Sequence, residues 1–366
     1  MINKMFKNIY KNKKVLVTGH TGFKGSWLCL WLTQLGADVC GYSLEPATEP
    51  NHYELLNLDI TSIIDDIRDS VSMQKVFSDF KPEIVFHLAA QPLVRLSYEE
   101  PVETFSTNIM GTVNIFEQCR KASSVRAIVN VTSDKCYDNK EWIYGYREID
   151  AKGGYDPYSA SKGCAELVAD SYRNSFFNNK DFGITHNTLL ASCRAGNVIG
   201  GGDWASDRLI ADIMRAVSKE ETVEIRNPDA TRPWQHVLES LSGYLQIGQK
   251  LLEGEVNFAE GWNLGPEDSA TITVREVVEN IQKYWSDIKY CQAKSSSDLH
   301  EANLLKLDCS KAHVKLNWRA VWDSKKTFKM TTNWYKNYYQ NGIVNSLKDL
   351  EEYIVDAKAK DLEWTK

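Results

Sequence analysis

Val15-Leu16-Val17-Thr18 runs straight into Gly19-His20-Thr21-Gly22-Phe23-Lys24-Gly25, and a helical pattern begins at the last of these glycines. An apolar strand, a glycine-spaced turn and a helix, in that order, open a βαβ unit and commit the chain to a parallel sheet. The glycines allow a tight turn and let backbone N–H groups approach a pyrophosphate at the helix N-terminus. The spacing is GxxGxxG, not the GxGxxG of ordinary dehydrogenases. Further candidate strands follow at Asp38–Tyr42, Ile63–Ile67, Ile84–Leu88, Ala127–Thr132 and Leu189–Ala195. Helical patterns fall between them near Gly25–Leu35, Ser72–Phe80, Pro101–Lys121 and Pro157–Arg173. Several strands are apolar on both faces, as a sheet covered by two helix layers requires. The fold expected is α/β, a Rossmann-type doubly wound parallel sheet with a smaller mixed α/β domain.

After Arg194 the rhythm changes to a glycine-rich loop, with Gly200-Gly201-Gly202, and shorter elements. Val237–Leu252 reads as a helix returning to the first domain, and Trp262-Asn263-Leu264-Gly265 as a short strand and turn. Residues 1–195 plus roughly 233–265 are therefore assigned to dinucleotide binding. Residues 196–232 plus roughly 266–366 are assigned to a substrate-binding domain that closes over the first.

An acidic residue is expected at the end of the second strand, where it would hold an adenosine ribose. Ser43 occupies that place, with no Asp and no neighbouring Arg. A hydroxyl can bond a 2′-hydroxyl without a charge-assisted grip. No basic residue adjoins Ser43 to hold a 2′-phosphate, although Lys24 in the turn could contribute, so NAD is favoured over NADP. Asp66-Ile67, closing the third strand, is a candidate adenine contact.

Tyr158 and Lys162 stand i, i+4 and share a helix face. A phenol with a pKa near 10 is a poor base at neutral pH, and an adjacent ammonium brings it toward a useful value. Twenty-five residues before Tyr158, the fifth strand ends in Ser133-Asp134-Lys135. An acid and an amine beside a hydroxyl are superfluous for simple alcohol oxidation. An elimination needs them.

These residues carry a resemblance. Leu88-Ala89-Ala90, Asn108 with Gly111-Thr112, and Tyr158 with Lys162 resemble the extended short-chain dehydrogenase/reductase family. Arg194-Ala195-Gly196-Asn197 and Arg232-Pro233-Trp234 are similar to its nucleotide-sugar-modifying branch. The strings Gly19 to Trp27, Thr132 to Tyr137 and Arg232 to Leu238 resemble the CDP-glucose 4,6-dehydratases within that branch, as do His300-Glu301 and Leu305 to Asp308.

The resemblance implies NAD as cofactor, held by Gly19, His20, Thr21, Gly22, Phe23, Lys24, Gly25, Ser43, Asp66, Ile67, Leu88, Ala89, Ala90, Asn108, Tyr158 and Lys162. It implies a nucleotide-sugar substrate, CDP-glucose, oxidised at carbon 4, dehydrated across carbons 5 and 6, and re-reduced at carbon 6. Tyr158 would take the proton of the 4-hydroxyl, Ser133 would orient that hydroxyl, and Asp134 would protonate the departing 6-hydroxyl. Related dTDP-glucose dehydratases carry a glutamate base where this chain has Lys135. Here Lys135 either takes the carbon-5 proton or stabilises the enolate while another group, such as Tyr137, takes it.

Arg208 and Arg232 suit a diphosphate, since guanidinium grips phosphate oxygens in a fork. Arg95, Arg194, Asn197 and His300 complete the expected substrate contacts. A homodimer or homotetramer in the cytoplasm is implied, supplying the dideoxyhexoses of bacterial lipopolysaccharide O-antigen. Asp134 and Lys135 argue against a nucleotide-sugar 4-epimerase, which eliminates nothing. Intact Ser133, Tyr158 and Lys162 argue against a catalytically silent NAD sensor.

Composition narrows the remaining classes. Forty-three basic against 49 acidic residues give a net charge of −6, unlike the basic stripe of a nucleic-acid binder. Met1 to Lys14 is lysine-rich with no apolar run, so no secretory leader is expected. No stretch approaches the roughly 20 apolar residues of a membrane helix. Eight cysteines without a CxxC pair read as reduced core thiols, with no metal site expected.

Overall fold

The computed structural model describes residues 4–225, 227–266, 271–292 and 304–366. The first half alternates as the sequence requires: β1 (Lys14–Thr18), α1 (Phe23–Gln34), β2 (Asp38–Ser43), α2 (His52–Leu56), β3 (Thr61–Ile64), α3 (Ser70–Phe80) and β4 (Ile84–His87). It continues through α4 (Val94–Glu99), α5 (Pro101–Phe105), α6 (Gly111–Lys121), β5 (Ala127–Val131), α7 (Pro157–Ser175) and β6 (Leu189–Ala195). There follow β7 (Asn197–Ile199), α8 (Leu209–Ser218), β8 (Thr222–Ile225), β9 (Thr231–His236), α9 (Val237–Leu252), β10 (Gly261–Leu264), β11 (Thr271–Thr273), α10 (Val274–Gln282), β12 (Lys289–Gln292), α11 (Ser324–Asn341) and α12 (Ser346–Ala359).

Seven strands form one parallel sheet in the order β10-β6-β5-β4-β1-β2-β3. Every residue of β4, β5 and β6 is buried, because helices cover both faces. One apolar core includes Trp27, Leu28 and Trp31 of α1 and Leu238, Leu241 and Leu245 of α9. The other includes Met73 and Phe77 of α3, Ile115 and Phe116 of α6 and Ala169 of α7. Each fully buried large side chain contributes roughly 1.5–3 kcal/mol, so two such layers hold the strand ends rigidly. β10 returns to the sheet beside β6, with Trp262 opposite Cys193. β7, β9 and β11 form a small separate sheet, and β8 pairs with β12.

The strand order reverses between β1 and β4, so the loops after these strands diverge and leave a crevice at their C-terminal ends. β3 spans 61–64 and stops short of the expected Ile63–Ile67. Asp66 ends it: its carboxylate accepts from the Arg68 backbone N–H at 2.8 Å and ion-pairs the Arg68 guanidinium at 2.5 Å, which turns the chain. The expected Pro101–Lys121 helix contains a wider π turn at Ser106–Met110. Six of the eight cysteines are buried, Cys164 is half-buried, Cys291 is exposed, and none forms a disulfide. Among the described residues no helix is long and apolar enough to cross a membrane.

Candidate active site

A cavity of about 650 Å³ opens over the C-terminal ends of the central strands. Its floor is the glycine turn after β1. Gly19 adopts φ +76°, and a Cβ there would lie 2.8 Å from the Ala89 backbone nitrogen. A Cβ at Gly25 would lie 2.0 Å from the Gly19 carbonyl oxygen, so only glycine lets α1 start this close to the turn. Thr18 Oγ1 accepts from the Leu88 and Ala89 backbone N–H groups at 3.2 Å, which ties the loop after β4 to the same floor. Thr21, Gly22, Phe23, Lys24, Ser43, Asp66, Ile67, Leu88, Ala89 and Ala90 all line the cavity. Thr21 Oγ1 is shared between the Ser43 hydroxyl and the Leu44 carbonyl, both at 2.9 Å. This cradle of close-packed backbone beneath a helix N-terminus fits a dinucleotide.

His20 is elsewhere. It is buried between the turn and the sheet edge, with Nε2 2.8 Å from Ser62 Oγ and its ring edge-on to Tyr53. Burial lowers its pKa to about 4. Asn108 is likewise behind the wall. Its amide accepts from the Gln91 backbone N–H at 2.8 Å and donates to Ser161 Oγ at 2.8 Å, bracing the loop after β4 against α7.

Ser133, Asp134 and Lys135 stand opposite the cradle at the end of β5, where residues 134–136 form a short 3-10 turn. The Ser133 hydroxyl donates to Asp134 Oδ1 at 2.8 Å and accepts from the Lys135 backbone N–H at 3.2 Å. Burial holds the Asp134 carboxyl above the usual carboxylate range, against the opposing pull of Lys135, Ser133 and Lys24. Tyr158 and Lys162 reach the same cavity from the start of α7. Asp156 caps that helix by accepting from the Ser159 N–H at 2.8 Å, and the Tyr158 N–H donates to Ser97 Oγ at 3.1 Å. Burial pushes the Tyr158 phenol up to about 12, with Ser133 opposing, and lowers Lys162 to about 8. Lys24 is also lowered to about 8, first by burial and then by Arg208. A carboxyl that favours its proton and an amine that readily releases one thus face a common space.

Asn197, Arg208 and Arg232 line the far wall. Arg208 is held at 2.6 Å by Asp203, a cavity residue missed by motif reading although it lies five positions earlier in the glycine-rich loop. Arg95 is not in the wall; its guanidinium lies 3.6 Å from Asp207. His300 lies outside the described residues.

Arg194 corrects the sequence expectation. It is 2% exposed, ion-paired with Glu166 at 2.6 Å, and absent from the cavity wall. Tyr137, considered as an alternative base, is also turned away. Its hydroxyl donates to Asn263 Oδ1 and accepts from Arg194 Nη1, both at 2.7 Å. Burial raises its pKa well beyond the ordinary phenol value.

Residues 16–331 match the protein family described as GDP-mannose 4,6 dehydratase. The chain is 51% identical over 352 residues to a CDP-glucose 4,6-dehydratase of Salmonella typhimurium, covering 95% of this chain and 98% of that protein. It is 23% identical over 354 residues to a dTDP-glucose 4,6-dehydratase of the same organism, covering 88% and 92%. Among solved structures, a Thermus thermophilus UDP-glucose 4-epimerase in complex with NAD superposes with a TM-score of 0.74 at 22% identity, covering 88% of this chain and 98% of that one. At 22% identity that likeness shows the fold alone.

Proposed function

The chain belongs to the GDP-mannose 4,6-dehydratase family, and on that premise we propose that it dehydrates CDP-glucose to CDP-4-dehydro-6-deoxyglucose and water. One observation carries the reading: a buried carboxyl held above its usual range, Asp134, shares a cavity with the Tyr158–Lys162 pair. NAD, when bound, supplies the oxidant at carbon 4, the reductant at carbon 6 and a positive charge in the cavity.

The chain's own side chains do the rest. Lys162 supports the Tyr158 phenolate, which takes the proton of the 4-hydroxyl, and Ser133 orients that hydroxyl. The resulting ketone acidifies the carbon-5 proton. As that proton leaves, Asp134 donates its own to the 6-hydroxyl, which departs as water. Lys135 is half-buried in the cavity wall; with Tyr137 occupied elsewhere, it is the residue of the triplet available either to take the carbon-5 proton or to stabilise the enolate. Arg208 and Arg232 grip the diphosphate, and Asn197 contacts the sugar or diphosphate.

The protein acts in the cytoplasm, and its product feeds the dideoxyhexoses of bacterial surface polysaccharide. Two copies pair through the helices at 101–121 and 157–175, a face supported by the exposed apolar residues Val102, Met110 and Leu167.

Purified protein with added NAD, offered CDP-, dTDP-, UDP- and GDP-glucose in turn, tests the reaction and the base preference together. Turnover of CDP-glucose to a product that absorbs in alkali, as 4-keto-6-deoxy sugars do, is expected. A 4-epimer without that absorbance, or preference for another nucleotide, defeats the proposal.

The Lys162 shift adds a pH test. A lysine lowered to about 8 loses its ammonium as pH rises through that value, so kcat/KM should fall above about pH 8. Lys162→Arg keeps its charge throughout; its residual kcat/KM should lack that alkaline limb. Persistence of the limb would assign it to another group, with Lys24 the first candidate.

A further inference from the structure

The turn that carries Ser133, Asp134 and Lys135 is fastened at both ends to one buried ion pair. On its N-terminal side, Thr132 Oγ1 donates to Glu166 Oε1. The other carboxylate oxygen of Glu166 holds Arg194 Nη2 at 2.6 Å. On the C-terminal side, Arg194 Nη1 donates to the Tyr137 hydroxyl at 2.7 Å, and that hydroxyl donates on to Asn263 Oδ1. Glu166 is fully buried and Arg194 nearly so. Glu166 stands one helical turn beyond Lys162 on α7, the helix that also presents Tyr158. A single chain of charge-assisted bonds therefore joins the two elements that meet across the cavity.

We propose that the Glu166–Arg194 pair is a positioning device that fixes the turn bearing Ser133, Asp134 and Lys135 in register with the helix bearing Tyr158 and Lys162. The proposal rests on the dehydratase reading for its catalytic consequence but not for its structural one. Breaking a buried charge pair outright is strongly destabilising, so the informative variants cut the fastenings and leave the pair intact. Thr132→Val removes the hydroxyl at one end, Tyr137→Phe removes it at the other, and Thr132→Ser keeps a hydroxyl as the rescue.

Two measurements separate the outcomes. In ligand-free protein, hydrogen–deuterium exchange of the amides at 134–137 is expected to quicken in Thr132→Val and Tyr137→Phe, with that of 157–175 unchanged. With CDP-glucose and NAD, both variants should lose kcat by up to about 10²-fold, the scale of a catalytic group displaced by about 1 Å, with KM little altered and Thr132→Ser restored. Wild-type exchange in the turn overturns the proposal, as does wild-type kcat in both variants or failure of Thr132→Ser to recover. If the unmodified protein does not turn over CDP-glucose, the dehydratase reading fails, and the exchange measurement alone decides whether the pair anchors the turn.

Discussion

Replacing Tyr158 with phenylalanine should lower dehydration of CDP-glucose by about two to four orders of magnitude, the range that positioned acid–base groups supply. The substitution removes only the hydroxyl. The ring keeps its buried place at the start of α7, where Asp156 and Ser97 hold the backbone independently of the phenol. NAD binding, followed by quenching of tryptophan fluorescence, should weaken only modestly, since the glycine turn and the other residues expected to hold NAD are unchanged, and thermal unfolding should remain near that of the unmodified protein. In the free cavity, burial keeps Tyr158 protonated, up to about 12, so the phenol depends on neighbouring positive charge to act as a base near neutral pH. Arg208 pulls the phenol in that direction, and on the proposed reading Lys162, which shares the cavity, adds to it. Turnover within a few-fold of normal in Tyr158→Phe would remove Tyr158 from the reaction and leave the 4-hydroxyl without a base on this chain.

Much of this site was legible in the sequence because its parts are local. The glycine turn, Tyr158 with Lys162, and the Ser133–Lys135 triplet are each short strings whose spacing dictates a turn, a helix face or a strand end. The strand 189–195 and the helix 237–252 have the expected bounds, since their apolar residues leave no competing register. What was not legible depends on which way a side chain points once two elements pack. Arg194 lies in a motif that suggests a substrate contact, but β6 is buried on both faces, and the carboxylate it pairs with is Glu166 on the covering helix. The clue was present as Lys162 and Glu166 at i, i+4, yet sequence alone does not pair that face with β6. His20 failed in the same way: a turn motif gives its backbone position, while Ser62 and Tyr53 decide where its ring goes. The early end of β3 follows from a side chain, Asp66, bonding to the backbone two residues on, a competition that apolar patterning does not register.

Asp134→Asn should uncouple the two halves of the reaction. On the proposed reading oxidation at carbon 4 draws on Tyr158, Lys162 and Ser133, all of which are kept, and an asparagine Oδ1 still accepts the Ser133 hydrogen bond, whereas departure of the 6-hydroxyl needs a proton that an amide does not supply. Product formation should fall by about two to four orders of magnitude, while reduced nicotinamide accumulates to a large share of the enzyme in a single turnover. The elevated Asp134 carboxyl gives this loss its logic, because burial favours the protonated, donating form. Lys135 then separates into two cases. If it takes the carbon-5 proton, Lys135→Glu retains dehydration, since a carboxylate can also accept that proton. If it acts through charge on the enolate, Lys135→Glu stalls at the ketone, with the carbon-5 hydrogen failing to exchange into deuterated water. Full activity in Lys135→Ala would dismiss both roles. Equal loss of oxidation and product formation in Asp134→Asn would instead make Asp134 part of the oxidation step, and the distinction between this cavity and that of an epimerase would have to be sought elsewhere along its wall.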